Sequence, residues 1–217
     1  MYQIQPSGTA AVSTGSLLGQ VLGITGTGFL ITAAASYVTI SLGLPYGVGL
    51  VAMLIGFGFL FAITWTRANP VTSLLMFYLF TICEGVGIGP IVGSYLALDG
   101  PGVVVNAAST TGLGMLTLAS IVYLTHFDYR RLSGIAFGAL LVLVLVGLVS
   151  IFVNFIHPQT YAWLTLGIFT LLVLVDFARV KAGGDGLTSI QIATSIYLDG
   201  INIFLALLSV MGGRRRN

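Results

Sequence analysis

Residues 190–210 of this 217-residue chain read IQIATSIYLDGINIFLALLSV, an apolar run with a single carboxylate, Asp199, near its middle. About 20 apolar residues are enough for an α-helix to cross the hydrocarbon core of a bilayer. A charged side chain at that depth costs about 3 kcal/mol or more unless it is neutralised, paired or hydrated. The stretch therefore predicts a membrane-spanning helix whose Asp199 faces the interior of a helix bundle and has a functional role there.

The composition of the whole chain agrees with a membrane protein. Hydrophobic residues make up 57% of it and charged residues only 6%, against about 25% charged residues in an average globular chain. The net charge of +2 is too small to suggest binding to nucleic acid. Cys83 stands alone, which excludes an intramolecular disulfide and a cysteine-based zinc site. We expect an integral membrane domain that carries no cofactor.

Apolar runs recur along the sequence and predict an all-α integral membrane protein with seven transmembrane helices. A short tail at 1–16 lacks the basic start of a cleaved signal peptide, and a basic tail follows at 212–217. In the first span, Gly15, Gly19 and Gly23 follow a four-residue spacing that favours close helix packing. The single transmembrane domain at 17–211 divides into predicted spans at 17–42, 47–65, 71–98, 103–124, 135–156, 161–180 and 188–211.

Basic residues between the spans predict the orientation in the membrane. If every segment crosses, five of them lie on the N-terminal side, which makes that side cytoplasmic: Arg67, Arg130, Arg131, Arg179 and Lys181. The tail residues Arg214, Arg215 and Arg216 then fall on the outside. Either the last segment is re-entrant or broken, or it crosses fully and the late charges do not control topology. Full crossing is favoured because early spans usually dominate orientation.

A second intramembrane acid, Glu84, lies in Cys83-Glu84-Gly85-Val86-Gly87-Ile88-Gly89-Pro90 within the third span. Proline and glycine weaken a helix interior, and a break survives in lipid only against protein or water. One interpretation is a broken helix with an inward-facing Glu84 that lines a pore. The other is a packing stripe formed by Gly85, Gly89 and Gly93, with Glu84 hydrogen-bonded to a neighbouring helix.

A third acid, Asp176, lies in the sixth span, and a short turn makes that helix an antiparallel neighbour of the helix that carries Asp199. Two carboxylates in a low-dielectric site do not both ionise cheaply, so the pair titrates as a unit. Ca²⁺ prefers ionised carboxylates and would compete with protons. The pair thus predicts a proton sensor and a Ca²⁺ site. The helix ends place Asp176 and Asp199 at depths that differ by roughly 8 Å, so direct contact stays open.

Other polar side chains could add to this site, and some of them suggest a different role for the two aspartates. Ser195 and Asn202 share a helix face with Asp199 and are candidate pore-lining residues, and Arg67 is a candidate latch that pairs with Asp176 in one state. Alternatively, Asp176 is an interfacial carboxylate paired with Arg179 or Arg67, and Asp199 is a protonated structural donor. His126 and His157 fall in predicted loops on opposite sides and do not suggest a metal site.

Catalysis finds little support in the sequence. Ser/His/Asp, HExxH and P-loop patterns do not occur. The aspartates lie in Leu-Val-Asp-Phe and Tyr-Leu-Asp-Gly contexts, and so lack the Gly-x-Gly-Asp context that marks intramembrane aspartyl proteases. We expect that the protein is not an enzyme.

Four elements together resemble the Bax inhibitor-1 family of membrane proteins, in a bacterial member. They are Ser195-Ile196-Tyr197-Leu198-Asp199-Gly200-Ile201-Asn202-Ile203-Phe204, the preceding Asp176, the Glu84-Gly85 to Gly89-Pro90 segment, and Thr125-His126-Phe127-Asp128. The resemblance implies a bundle with the last helix central and surrounded by the other six, and a pH-sensitive calcium leak through the plasma membrane. Its paired aspartates would be Asp176 and Asp199, and its latch Arg67.

Two features depart from that family pattern. Gly200 stands where a bulky apolar residue is common, which is expected to loosen the helix, and Arg67 is the single basic residue of its loop. Family members are also described as suppressors of cell death and as modulators of membrane proteases. The leading hypothesis is a pH-gated Ca²⁺ leak channel in which Glu84 adds an acidic site. The alternative is a non-conducting regulator that binds a membrane protease or stress-response complex.

Overall fold

The computed structural model describes residues 14–125, 129–150, 152–153 and 155–212. These residues form seven α-helices, each long and apolar enough to cross a membrane, which confirms the predicted fold class. The helices are α1 (Thr14–Ser41), α2 (Tyr46–Trp65), α3 (Pro70–Asp99), α4 (Pro101–Leu124), α5 (Tyr129–Ser150), α6 (Pro158–Lys181) and α7 (Ser189–Gly212).

The last helix is the centre of the bundle, as expected. It packs against α1, α2, α3, α4 and α6. In its most apolar stretch of 18 residues, 61% is buried, the largest share among the described helices. Only α5 stands apart, because it packs mainly on α6 and 11% of its window is buried. The bundle is therefore five helices around α7, rather than the six that the resemblance implied, with α5 attached at the periphery.

The alternative of a broken last segment does not fit α7. Residues Ser189–Gly212 form one uninterrupted helix of 24 residues, which at about 1.5 Å per residue exceeds the roughly 30 Å hydrocarbon thickness. Full crossing is thus the topology that the length of α7 fits. The tail residues Arg214, Arg215 and Arg216 lie outside the described residues, as do residues 1–13 of the predicted N-terminal tail.

The fifth helix begins earlier than predicted. It spans Tyr129–Ser150 instead of 135–156, because Tyr129, Arg130 and Arg131 form its first turn rather than a polar loop. Long cationic side chains at the end of a span reach the interface while their backbone stays helical. His126 falls among residues 126–128, which are outside the described ranges.

The third helix is continuous through Pro90, so the predicted break is wrong. The glycine stripe explains the glycines instead: a Cβ on Gly85 would lie 2.5 Å from the carbonyl oxygen of Thr32, and one on Gly89 would lie 2.7 Å from Thr39. These side-chain-free positions let α3 lie directly against α1. Proline removes one backbone hydrogen bond, and packing against α1 keeps the backbone next to Pro90 away from lipid.

The predicted stripe of Gly15, Gly19 and Gly23 is not a packing face, because a Cβ at each would meet no atom within 4 Å. Gly28, further along α1, makes the close approach, with Phe77 at 2.8 Å and Tyr197 at 3.2 Å from its would-be Cβ. Four-residue spacing identifies a smooth helix face but not whether another helix lies on it.

A tight reversal joins α6 to α7. Gly183, Gly184 and Gly186 have φ values of 88°, 95° and 82°, and Asp185 has φ 52°, a region that glycine adopts freely and Asp tolerates. Lys181 at the end of α6 donates from Nζ to the carbonyl oxygens of Val122 and Thr125, at 2.9 and 2.8 Å. This turn holds α6 and α7 as antiparallel neighbours and ties their end to α4.

Candidate functional site

Asp176 and Asp199 lie on facing sides of α6 and α7 in the interior of the bundle. They are 3% and 4% exposed, and Asp199 is within electrostatic range of both Asp176 and Arg179. The short turn between the two helices produces this proximity despite the depth difference expected from sequence. The structure therefore brings the two predicted carboxylates into one buried site.

The charges of this site are only partly balanced. Arg179 donates from Nη1 to Oδ1 of Asp176 at 2.6 Å, one turn along α6, and the hydroxyl of Ser195 lies beside the same carboxylate. Oδ2 of Asp176 and Oδ2 of Asp199 are buried without a hydrogen-bond partner in the described part of the chain. One guanidinium faces two carboxylates, so one negative charge is left for a proton or a metal cation to neutralise.

The predicted latch residue lies elsewhere. Arg67 is exposed in the turn between α2 and α3, and among the described residues the ion-pair partner of Asp176 is Arg179. The local i,i+3 geometry of α6 supplies a cation to Asp176 without movement of another helix. Arg179 is thus the partner that the alternative named, but Asp176 lies in the bundle interior and not at the interface.

Glu84 belongs to a different polar group. It is half-buried on α3 and lies within electrostatic range of Tyr197 on α7. The groups that act on Asp199 are Asp176 and Arg179, so the third acid is not brought into the aspartate pair. Glu84 and the pair approach α7 from different neighbouring helices, α3 and α6.

Tyr197 is a site residue that the sequence reasoning did not single out. Its side chain is fully buried and its ring lies 5.3, 5.6 and 5.8 Å from those of Phe29, Phe77 and Phe80. Its hydroxyl is 2.6 Å from Oγ1 of Thr32, which itself donates to the carbonyl oxygen of Thr81 at 3.0 Å. This chain connects α7, α1 and α3 two residues before Asp199, and the aromatic residues at i and i+3 in α3 were the signal for it.

Asn202 continues the polar face of α7 beyond Asp199. Its Nδ2 donates to the carbonyl oxygen of Leu198 at 2.8 Å, and the residue lines a cleft of about 700 Å³ between α5, α6 and α7. Thr165 and Ser209 line the same cleft. The structure thus places one predicted pore residue, Ser195, at the aspartate pair and the other, Asn202, in an open cleft one turn further along.

The candidate Ca²⁺ ligands remain two carboxylates. Within the described ranges, no group of three or more His, Cys, Asp or Glu side chains is placed to hold a metal ion. Ca²⁺ takes six to eight oxygen ligands, so the pair would supply part of a coordination shell to an ion in transit.

His157 caps α6, where its Nδ1 accepts a hydrogen bond from the Gln159 amide at 3.3 Å.

Gly200, expected to loosen α7, does the opposite. A Cβ on Gly200 would lie 2.5 Å from Cζ of Phe29 and 3.0 Å from Sδ of Met115. The missing side chain admits these neighbours from α1 and α4 directly onto the backbone of α7. The residue after Asp199 is therefore a tightly packed position.

This buried aspartate pair on the central helix of a seven-helix membrane bundle occurs in a chain that matches a known family over most of its length. The family described as "Inhibitor of apoptosis-promoting Bax1" matches residues 14–216. The protein belongs to this family, which confirms the resemblance to Bax inhibitor-1 proteins.

Its relatives are bacterial proteins. The chain is 31% identical over 192 residues to the "Modulator of FtsH protease YccA" of Escherichia coli, covering 86% of this chain and 84% of that protein. It is 29% identical over 195 residues to a membrane protein of Vibrio cholerae, with 87% and 85% covered. A Pseudomonas aeruginosa protein is 27% identical over 213 residues, with 97% and 95% covered. The chain is accordingly an integral membrane protein of the bacterial type.

Proposed function

We propose that this protein is a membrane-embedded regulator that binds a membrane protease. The observation that carries the proposal is the likeness to YccA, a protein named a modulator of the FtsH protease. This likeness covers 86% of this chain and 84% of YccA. Since the matched region is the seven-helix bundle itself, the bundle is the part proposed to contact the protease. A bundle with a peripheral α5 offers lipid-facing helix surfaces for such a contact.

The test is co-reconstitution of the purified protein with FtsH in liposomes, with the degradation rate of a membrane substrate as the readout. A changed rate, together with co-purification of the two proteins, is the expected result. A member of the same fold class without family relationship, reconstituted at the same density, controls for crowding in the bilayer. An unchanged rate and no co-purification would remove this proposal.

A second candidate function is a pH-sensitive Ca²⁺ leak, and the uncompensated carboxylate at the aspartate pair favours it. Because Arg179 neutralises Asp176, Asp199 is the group proposed to exchange a proton for a cation. Ser195 and Asn202 would extend the path along α7 from the pair to the cleft beside α5. Protons and Ca²⁺ compete for the same oxygen, so acid should weaken Ca²⁺ binding, by about tenfold per pH unit for one-proton exchange.

Ca²⁺ entry into liposomes that contain the purified protein, across pH 5 to 8, tests the leak. We expect wild-type flux to depend on pH and Asp199→Asn to flatten that dependence. Asp185→Asn is the control, because it removes an exposed acid that lies outside the aspartate pair and the proposed path. Flux no greater than in empty liposomes at every pH would exclude the leak while leaving the protease proposal standing.

The orientation proposed for the protein has its N-terminal side in the cytoplasm of the bacterial plasma membrane. Arg67, Arg130, Arg179 and Lys181 fall at helix ends on one side of the bundle, which supports this orientation. Single cysteines placed at positions 67 and 100 in a Cys83→Ser background should differ in reaction with an impermeant thiol reagent on whole cells, with position 100 the reactive one. The reverse pattern would invert the topology.

A further inference from the structure

The groove between α1 and α4 is a feature that neither proposed function uses. Both helices pack against α3 and α7, and between them lies a cavity of about 490 Å³. Its floor is formed on α7 by Gly200, Ile201 and Phe204. The central helix is therefore reachable from the bilayer through this groove.

The lining of the groove is chemically uniform. None of the described residues that line it is charged. Of its polar residues, Thr32 donates to the Thr81 carbonyl at 3.0 Å and Thr111 to the Ala107 carbonyl at 2.8 Å. The groove thus offers apolar contacts and no cation or anion for a charged headgroup.

The surroundings of the groove define its occupant. Leu30 and Tyr37, which also line it, are 73% and 72% exposed on the outer surface of α1, the surface that faces hydrocarbon in a spanning helix. Left empty, a groove of this size would leave its lining atoms without van der Waals partners on one side. Its volume is in the range of small-molecule sites, about 300–1,000 Å³.

We propose that the groove holds one acyl chain of a bilayer phospholipid in a fixed position. The headgroup remains at the interface, and the chain lies between α1 and α4 with its contact on α7 at Ile201 and Phe204. The gain comes from packing rather than from the hydrophobic effect, because the competing environment is itself hydrocarbon. The inference goes beyond both proposed functions, because lipid contact is measurable without a protease and without calcium.

Two glycines on α4 make a matched pair for the test. Gly112 lines the groove, and a Cβ there would meet no atom within 4 Å. Gly114, two residues further along, has the same open surroundings and is not part of the lining. Gly112→Leu therefore adds a side chain to the groove at a position whose Cβ has free space, and Gly114→Leu is the same change outside the groove.

The probe is a phosphatidylethanolamine with a photoreactive diazirine in one acyl chain, included at trace level in phosphatidylethanolamine and phosphatidylglycerol vesicles. After irradiation and peptide mapping, wild type should be labelled on the groove segments of α1 and α4 above the level on α5. Gly112→Leu should lower that label to the level on α5, because the leucine side chain occupies the space of the acyl chain, and Gly114→Leu should leave it unchanged.

Labelling of α1 and α4 at the level of α5, insensitive to Gly112→Leu, would show ordinary boundary lipid and overturn the proposal. Chain-to-chain crosslinks at the groove in place of lipid label would also overturn it, in favour of a second copy. If Gly112→Leu does not fold, Ala33→Leu fills the groove from α1, with Ala34→Leu as its control outside the lining. Loss of label in Ala33→Leu alone then decides for the acyl chain, and equal label in both decides against it.

Discussion

α5 and α7 are both apolar spans, and they occupy opposite environments in the molecule. α5 is the most hydrophobic of the seven described helices and the least buried, whereas α7 is less hydrophobic and the most buried. α7 carries Asp199 and Tyr197, while the residues of α5 within its apolar part are almost entirely aliphatic, aromatic or glycine.

The difference shows what hydrophobicity measures in a membrane. Lipid is as apolar as leucine, so burial of an apolar side chain brings no hydrophobic gain, and a purely apolar helix is stable at the perimeter. Polar side chains are excluded from lipid and can be satisfied only by other helices. A carboxylate inside a span, such as Asp199 in α7, therefore marks a helix that faces the bundle interior.

The largest expected loss of stability comes from breaking the ion pair between Asp176 and Arg179 beside α7. Arg179→Leu leaves Asp176 buried and unpaired, which should lower stability by about 3–5 kcal/mol, measured by thermal unfolding in detergent. Asp176→Asn combined with Arg179→Leu should restore most of that loss. A single variant as stable as wild type would mean that the pair is not held in the bundle interior.

The next effect compares one glycine on each helix. Gly200→Val places methyl groups against Phe29 and Met115, and overpacking of this kind costs about 1–3 kcal/mol. Gly138→Val on α5, where a Cβ would meet no atom within 4 Å, should change the unfolding temperature little. Equal effects at both positions would contradict the central placement of α7.

A smaller effect compares two tyrosine hydroxyls. Tyr197→Phe removes the hydrogen bond to Thr32 at 2.6 Å and should cost about 1 kcal/mol. Tyr161→Phe removes a 3.4 Å bond from α6 to the Leu143 carbonyl on α5 and should cost less. If the ranking is reversed, α5 is held more firmly than its packing indicates.

The smallest effect is at the surface end of α5. Asp185→Asn breaks the exposed pair with Arg130, whose closest atoms are 3.5 Å apart, and retains a residue that tolerates the φ of 52° at this position. Exposed ion pairs contribute about 0–1 kcal/mol, so the unfolding temperature should fall slightly and less so at high salt. A loss comparable to that of Arg179→Leu would show that this pair is needed to hold α5.

Much of the site could be predicted from the sequence because ionisable side chains are rare inside membrane-spanning segments. Asp176, Asp199 and Glu84 are conspicuous in apolar runs, and the short turn after Lys181 makes α6 and α7 neighbours. The partner of Asp176 was less certain, since Arg67 and Arg179 were both near the same interface. The folded chain assigns it to Arg179, because Arg67 is exposed in the turn after α2, and the position of that turn relative to Asp176 depends on how the helices pack.

The sequence by itself determined the seven spans, their class and the carboxylates inside them, because span length and charge exclusion depend on the bilayer and not on neighbouring helices. Only the tertiary structure decided which glycine-containing helix faces pack against another helix. The glycines of α3 pack against α1, whereas Gly15, Gly19 and Gly23 have no Cβ neighbour, and Glu84 lies near Tyr197 rather than at the aspartate pair. Helix packing depends on complementary surfaces from distant segments, and no local pattern records which two surfaces meet.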